Sequence, residues 1–467
     1  MPRTRAFSSE VETGSPATNA KRLRGENAFK RGAGAIERSN WIGNCSRLFL
    51  SAAAVALALT AGFASSAVFA QGKVLKFVSW QKDERGVGDW WGSVIKEFEA
   101  THPGIKIEWT KVERGAYADT MTTLFAGGKP PDIVHLASFE FQKFADNGWL
   151  EPLDGYIKDA KLDMKGWAGQ DTCVFNKQTV CTMMLYFGYF LAYNEEMLRK
   201  EGLAVPKNYA EFLAAARKLT KDLNGDGIID QFGTGHETKG GGGQYMSEMM
   251  NYTLDAGGRW TNDAGKVTID TPQMVEGLSR WKTIVKDSLT PRDLAAGEVR
   301  QMFADGKIAL KTDGPWLWPI IQKGKAKDQI KLAMSPFSPP VGGSSNVLGI
   351  ASDIPKDNKK LVWDFIQIAT SDKFQSSYAT LGASPPPSPR ADVSAASKET
   401  PHFDLLVQAT KAAADAKIDR IPKGLELVFN EFAKMVLEES QRMIIQDLDP
   451  KIVAATMQRK AEALQKQ

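Results

Sequence analysis

Residues 98–109 read FEATHPGIKIEW, and within this stretch the spacing of apolar residues changes from that of a helix to that of a strand. Upstream, Trp91, Ile95 and Phe98 recur at intervals of three and four, which places them on one helical face. Pro103 stops that helix, because it brings no N–H to the helical ladder. Beyond it, IKIEWTKV (105–112) alternates with period two, the signature of a strand with one face buried. Working outward, VLKFVSW (74–80) is a short apolar strand, YADTMTTLFAGG (117–128) a helix closed by Gly127-Gly128, and DIVHLA (132–137) a buried strand. The order β-α-β-α-β belongs to a parallel sheet with helices on its faces. A further helix follows in FEFQKFADNGW (139–149).

The chain has 467 residues, more than the roughly 250 to 300 at which one hydrophobic core stops growing, so two packed domains are expected. In RLFLSAAAVALALTAGFASSAVFAQ (47–71) an arginine precedes an apolar run that ends in small residues. The run is shorter than the roughly 20 residues a spanning helix needs, so residues 1–70 read as a leader and secretory signal peptide cut after Ala70, for export to the periplasm. The leader carries nine of the 59 Lys and Arg and four of the 55 Asp and Glu, leaving 50 against 51 in the mature chain. That balance removes the basic surplus that nucleic acid requires. Cys45 would leave with the leader. Cys173 and Cys181, in CVFNKQTVC, are expected to pair as a disulfide across a hairpin turned by the polar NKQ.

Farther along, strands are expected over 182–193 and helices over 209–223, 272–286, 297–305, 359–370 and 372–381, with a helical tail from about 424. The glycine run KGGGGQ (239–244) reads as a mobile loop, since no GKS, GKT or GxGxxG accompanies it. ASPPPSPR (383–390) reads as a stiff extended connector.

Seven landmarks, in order, carry a resemblance: VLKFVSW, FEATHPGIKIEW, LFAGGKPPDIVHL, DNGWLEPLD, LAYNEEMLRKEGL, FADGKIALKTDGPWLW and VLGIAS. Together they resemble the family 1 extracellular solute-binding proteins, the sugar receptors of ABC importers, maltose-binding-protein-like. The resemblance implies the type II periplasmic-binding-protein fold, two doubly wound α/β lobes joined by hinge strands around a ligand cleft. It implies an N-terminal lobe of 73–186 plus about 347–394, and a C-terminal lobe of about 190–343 plus about 395–467. It further implies a monomer, not an enzyme, that captures a mono- or oligosaccharide and delivers it to membrane permease subunits.

A sugar ring has an apolar C–H face and a polar rim, so its site needs a flat aromatic surface with hydrogen-bonding groups at the edge. In the resembled family the tryptophan of GPW is commonly that platform, here Trp316, while Trp318 is expected to pack inward. Strand ends in the first lobe supply Trp80, Gln81, Ser138 and Phe139, and Tyr117 opens the helix after the second strand. Glu140 could bond sugar hydroxyls or be a solvated carboxylate at a helix start. Beyond the glycine run, Tyr245 and Ser247 are candidates from the second lobe.

In DLNGDGIID (222–230), Asp222, Asn224, Asp226 and Asp230 fall at positions 1, 3, 5 and 9 of a calcium loop, with Ile228 at 7, but Gly233 replaces the bidentate glutamate at 12. The pattern leaves open a structural calcium site or a plain turn. No other cofactor is expected. A secreted glycosidase would need a carboxylate pair that no local pattern singles out. The four histidines, His102, His135, His236 and His402, form no HExxH or Cys-His constellation. Receptors for polyamines, glycerol phosphate or iron stay as alternatives, less favoured by a neutral chain whose cleft candidates are aromatic and hydroxyl-rich.

Overall fold

The structure, a computed structural model, describes residues 72–240, 242–417 and 420–466, within one compact unit, Val68–Gln467. The leader, Cys45 and the cleavage site after Ala70 lie outside the described residues. In chain order the strands are β1 (Lys73–Ser79), β2 (Ile105–Lys111), β3 (Ile133–Ala137), β4 (Val174–Phe175), β5 (Gln178–Thr179), β6 (Thr182–Gly188), β7 (Phe190–Asn194), β8 (Phe232–Thr234), β9 (Ile308–Asp313), β10 (Ile330–Met334) and β11 (Gly342–Ile350). They form one sheet of order β2-β1-β3-β11-β6, a second of order β10-β7-β9-β8, and the small hairpin β4-β5.

In the first sheet β1 runs parallel to both β2 and β3, while β11 is antiparallel to β3 and β6. The sheet is covered on both faces, as the β-α-β-α-β order requires. Leu75 and Phe77 of β1 face Trp90, Trp91, Val94 and Phe98 of the helix Val87–Thr101, with Phe365 and Ile366 of the helix Lys356–Thr370 in the same core. Val78 points the other way, onto Tyr117, Met121 and Phe125 of the helix Arg114–Ala126. The second sheet pairs β8 parallel to β9 and β7 antiparallel to β9 and β10. The helices Gly242–Asp255, Pro272–Lys286, Phe429–Ile445 and Pro450–Leu464 contribute to one large core beside it, around Tyr245, Tyr252 and Trp281.

The chain passes from one sheet to the other at Tyr189, the single residue between β6 and β7, and returns between β10 and β11. The two crossings touch, the Tyr189 N–H donating to Val341 O at 2.7 Å. The helix Phe403–Asp415 lies directly on them. A Cβ at Gly188 would stand 2.0 Å from the Ala409 carbonyl oxygen, and one at Gly342 would stand 2.3 Å from Ala413 Cβ, so glycine at both crossings admits this helix.

Three expectations change. The glycine run is no loose loop, since Gly242 begins a helix and a Cβ at Gly243 would stand 3.3 Å from both Phe139 and Phe429. The helix expected over 209–223 is Tyr209–Leu219, because Thr220 turns extended and Lys221 pairs with Gln231. Much of the proline-rich segment is buried, and Pro387 O accepts the Ala168 N–H at 2.9 Å, so it is packed structure rather than a free spacer.

Cys173 and Cys181 are joined as a disulfide closing the β4-β5 hairpin, with Asn176 and Lys177 at positive φ in its turn. Both sulfurs sit in the core of Tyr117, Trp167 and Met183. Replacing either cysteine by serine should cost about 2.5 kcal/mol of stability on the loop-closure estimate. Equal denaturant midpoints for the native chain and the Cys173→Ser variant would show the bridge to be energetically idle.

Candidate functional site

The alternation of β9 places Lys311 and Asp313 on one side of the strand, and every residue of IALKTD is buried. Two buried charges two residues apart must be compensated. Asp313 Oδ1 accepts from Gly314 N at 2.9 Å, Arg300 Nη2 at 3.1 Å and Trp316 Nε1 at 2.7 Å. Its Oδ2 accepts from Arg300 Nε at 2.8 Å and lies 3.3 Å from Lys311 Nζ. Lys311 continues to Glu248 Oε1 at 3.0 Å, and Glu248 Oε2 lies 2.7 Å from His236 Nδ1. The Tyr252 hydroxyl stands 2.6 Å from His236 Nε2. Burial alone would raise the Asp313 and Glu248 carboxyls, but Arg300 and Lys311 hold Asp313, and Lys311 and His236 hold Glu248, below the usual carboxylate range. Burial drives His236 downward, against the pull of Glu248. Nearby, burial and then Glu248 push Glu237 up to about 8.

This chain of charges ends at Trp316, whose half-buried ring folds back over the Gly314 backbone. A Cβ at Gly314 would stand 2.5 Å from the indole, so the glycine of GPW makes room for the tryptophan two residues later. The ring meets Phe187 edge-on at 4.7 Å, and the Arg300 guanidinium lies 5.6 Å from its centroid. Trp318 is buried among Phe190, Leu317 and Phe403, inward as expected.

On the first sheet's side, the half-buried Trp80 follows β1. It stacks on His135 of β3 at 4.1 Å, meets Tyr117 edge-on at 4.8 Å, and has the Arg114 guanidinium 4.8 Å from its centroid. Phe139 lies 5.3 Å from the same guanidinium and 5.6 Å from that of Arg420. The second sheet's helices reach across to it: Phe429 is 4.9 Å away, and Lys143 pairs with Glu431 at 3.0 Å. Arg420 also touches both sides, donating to Ser344 O at 2.7 Å and to Ser247 Oγ at 3.4 Å. Trp80 and Phe139 on one half and Trp316 on the other are only half-buried, with Arg114 and Arg300 beside them, which makes them the candidate lining of a groove between the halves. Glu84 follows the turn that begins at Trp80; its side chain keeps an open surface, but protein packed around the carboxyl raises it, and Arg300 from one half and Arg114 and Lys111 from the other pull it back down.

Several candidates are corrected by their burial. The Tyr117 hydroxyl donates to Val78 O at 2.9 Å and shares His135 O, deep in the core. Tyr245 is equally buried, its hydroxyl 2.8 Å from Ser440 Oγ and accepting from Trp281 Nε1. Gln81 is committed to Trp91 Nε1 at 3.0 Å, Ser138 to Ser344 O at 2.7 Å, and Ser247 to Gly243 O at 2.9 Å. Glu140 is not solvated; its Oε1 pairs with Arg114 at 3.0 Å and its Oε2 accepts the Ala137 N–H at 3.1 Å. In the 222–230 loop, Asp222 accepts from the N–H groups of Gly225 and Gly227, Asn224 from Asp226, Asp226 from Ile228 and Asp230 from Leu223. These oxygens close turns, and among the described residues no group of three His, Cys, Asp or Glu side chains gathers as a metal site. A surface depression of about 530 Å3, lined by Trp167, Gln170 and Asp171 among others, lies beside the disulfide hairpin and includes none of the groove residues.

Arg114, Arg300, Arg420, Asp313 and Glu84 were not among the candidates. Of these, only Asp313 had a signal, its place before GPW at a strand end.

Two sheets joined by crossings of one chain, with aromatic and charged side chains where the halves meet, define a two-lobed protein of the type II periplasmic-binding-protein fold. The chain belongs to the bacterial extracellular solute-binding protein family, whose model matches residues 81–376. A binding protein of Brucella abortus is 24% identical over 287 residues, 59% of this chain and 67% of that one. A solute-binding protein from Thermotoga lettingae, solved with α-D-tagatose, is 23% identical with a TM-score of 0.69, covering 84% of this chain and 100% of that one. Another from Agrobacterium radiobacter, solved with ribitol, is 19% identical with a TM-score of 0.72, covering 84% and 99%. Among the described residues no helix is long and apolar enough to cross a membrane.

His135 beneath Trp80 gives the site a pH signature. Burial, and then Arg114, lower its pKa to about 3. The unfolded imidazole takes a proton below about pH 6.5 while the folded one does not, so stability is full above that pH and falls as pH drops towards 3. The slope from this residue is up to about 1.4 kcal/mol per pH unit. His135→Gln should flatten acid denaturation by that amount; unchanged slopes would show that His135 charges without penalty.

Proposed function

We propose that this chain is the ligand-capturing component of an ABC importer, binding a mono- or oligosaccharide between its lobes and handing it, chemically unchanged, to membrane permease subunits. It acts as a monomer in the periplasm, and capture requires no cofactor. One observation carries this reading: Trp316 presents a half-buried ring in the groove, fixed through Asp313 and edged by Arg300. A flat apolar surface with charged hydrogen-bonding groups at its margin matches the two sides of a sugar ring. The tagatose and ribitol complexes of proteins with this fold agree with a polyhydroxylated ligand. Trp80 and Phe139 are the opposing surfaces from the first lobe.

Calorimetry against a carbohydrate panel, with recovered sugar checked for hydrolysis, tests the proposal. Trp316→Ala should weaken binding by about 1 to 3 kcal/mol, as loss of an interfacial aromatic anchor does. Trp316→Phe should recover part of it. A lowered denaturant midpoint beside unaltered affinity would make Trp316 a core plug, and hydrolysed sugar would make the chain an enzyme.

A further inference from the structure

We propose that the cleft selects an acidic saccharide, a sugar bearing a carboxylate such as a hexuronate or a short uronate oligomer; this rests on the sugar reading above. A neutral sugar offers hydroxyls, each at once donor and acceptor, and its site must supply both kinds of group. Apart from Glu84, whose carboxyl is raised by burial, the acceptors of the residues named around this groove are already filled. Both oxygens of Asp313 are taken by Arg300, Lys311, Gly314 and Trp316. Both oxygens of Glu140 are taken by Arg114 and the Ala137 N–H, and the Gln81 carbonyl by Trp91.

Donors remain. Arg300 uses Nε and Nη2 on Asp313, leaving Nη1. Arg114 uses Nη1 on Glu140 while 38% of its side chain stays open. Each guanidinium is held against an aromatic ring, Arg114 against Trp80 at 4.8 Å and Phe139 at 5.3 Å, Arg300 against Trp316 at 5.6 Å. A guanidinium steadied by an aromatic ring presents its N–H groups as a fixed fork, the geometry that matches a carboxylate. The two arginines come from opposite lobes, and Glu84, whose carboxyl is raised by burial, is pulled back down by both of them. Closing the lobes on an acidic sugar would bring Arg114 and Arg300 to one anion, adding to the preference for the closed state.

The test is calorimetry on the full mature chain with D-galacturonate, D-glucuronate and their di- and trisaccharides, beside the matching neutral sugars and the uronate methyl esters. The acid should bind at least about tenfold tighter than its neutral partner or ester, with the margin shrinking in about 0.5 M salt. Arg114→Gln should cut the ratio of acid to neutral affinity at least about threefold, whatever it does to each affinity alone, and an unchanged ratio would overturn the inference. Neutral sugars binding as well as or better than the acids would overturn this inference and leave the sugar reading standing. Binding of neither class would overturn both.

Discussion

The cleft side of the second lobe depends on one buried carboxylate, Asp313. A charge of this kind loses several kcal/mol of hydration when it enters a protein interior, and only close cationic and N–H partners return it. Asp313 meets that demand with Arg300, Lys311, the Gly314 N–H and the Trp316 indole, drawn from the strand it ends, a separate helix and the turn that follows. Losing one partner leaves charge without compensation, so the group holds together as a unit. Its worth lies in position more than in stability, because a well-packed apolar set is often as stable as a buried ion pair. What the carboxylate fixes is the direction of the indole and the plane of the guanidinium. Those are the groove's two most specific features on this lobe.

The network also reaches inward. Lys311 shares its charge with Glu248, and Glu248 orients His236, which meets Tyr252 in the second lobe's main core. The helix Gly242–Asp255 carries Gly243, Ser247 one turn later, and Glu248 next to it. It therefore joins the charge network to Arg420 and to the face pressed against Phe139. Groove and core of this lobe are parts of one arrangement, so a change of charge at Lys311 or Glu248 should reach Trp316 without a ligand contact of its own.

The fold was legible because its signals are local. The change of period across FEATHPGIKIEW, the hairpin within CVFNKQTVC and the inward Trp318 each depend on residues a few positions apart. The arginines were not legible, since Arg114, Arg300 and Arg420 come from distant parts of the chain that only its crossings between the halves bring near one another, and in the sequence each looks like a solvated charge. Tyr117 and Tyr245 were misplaced for a different reason. Their hydroxyls suggested a polar role, yet Tyr117, Met121 and Phe125 recur every four residues, and Tyr245, Met249 and Tyr252 at four and three. That phase puts each tyrosine on the core face of its helix, where it is found. The helical period was the stronger evidence, and side-chain chemistry was the weaker.

The crossings also explain how a groove can open without tearing the molecule. The register of β11 shifts between Ser344 and Asn346, a local bulge that loosens its pairing with β6. The carbonyls at the bulge are bonded from outside the strand. Ser138 donates its Oγ to Ser344 O at 2.7 Å and its N–H to Ser345 O at 2.8 Å, while Arg420 also donates to Ser344 O. The floor of the groove is thus a place where strand pairing gives way to side-chain bonding, and Arg420 bridges it to Ser247 of the other lobe. Higher up, the lobes touch through Phe139 on Phe429 and the partly exposed pair of Lys143 and Glu431. An exposed ion pair contributes at most about 1 kcal/mol, and one aromatic contact about as much again, so the rim holds the lobes weakly. With the floor anchored and the rim weakly held, a ligand that touches both lobes need add only a few kcal/mol of differential contact to set the position of closure.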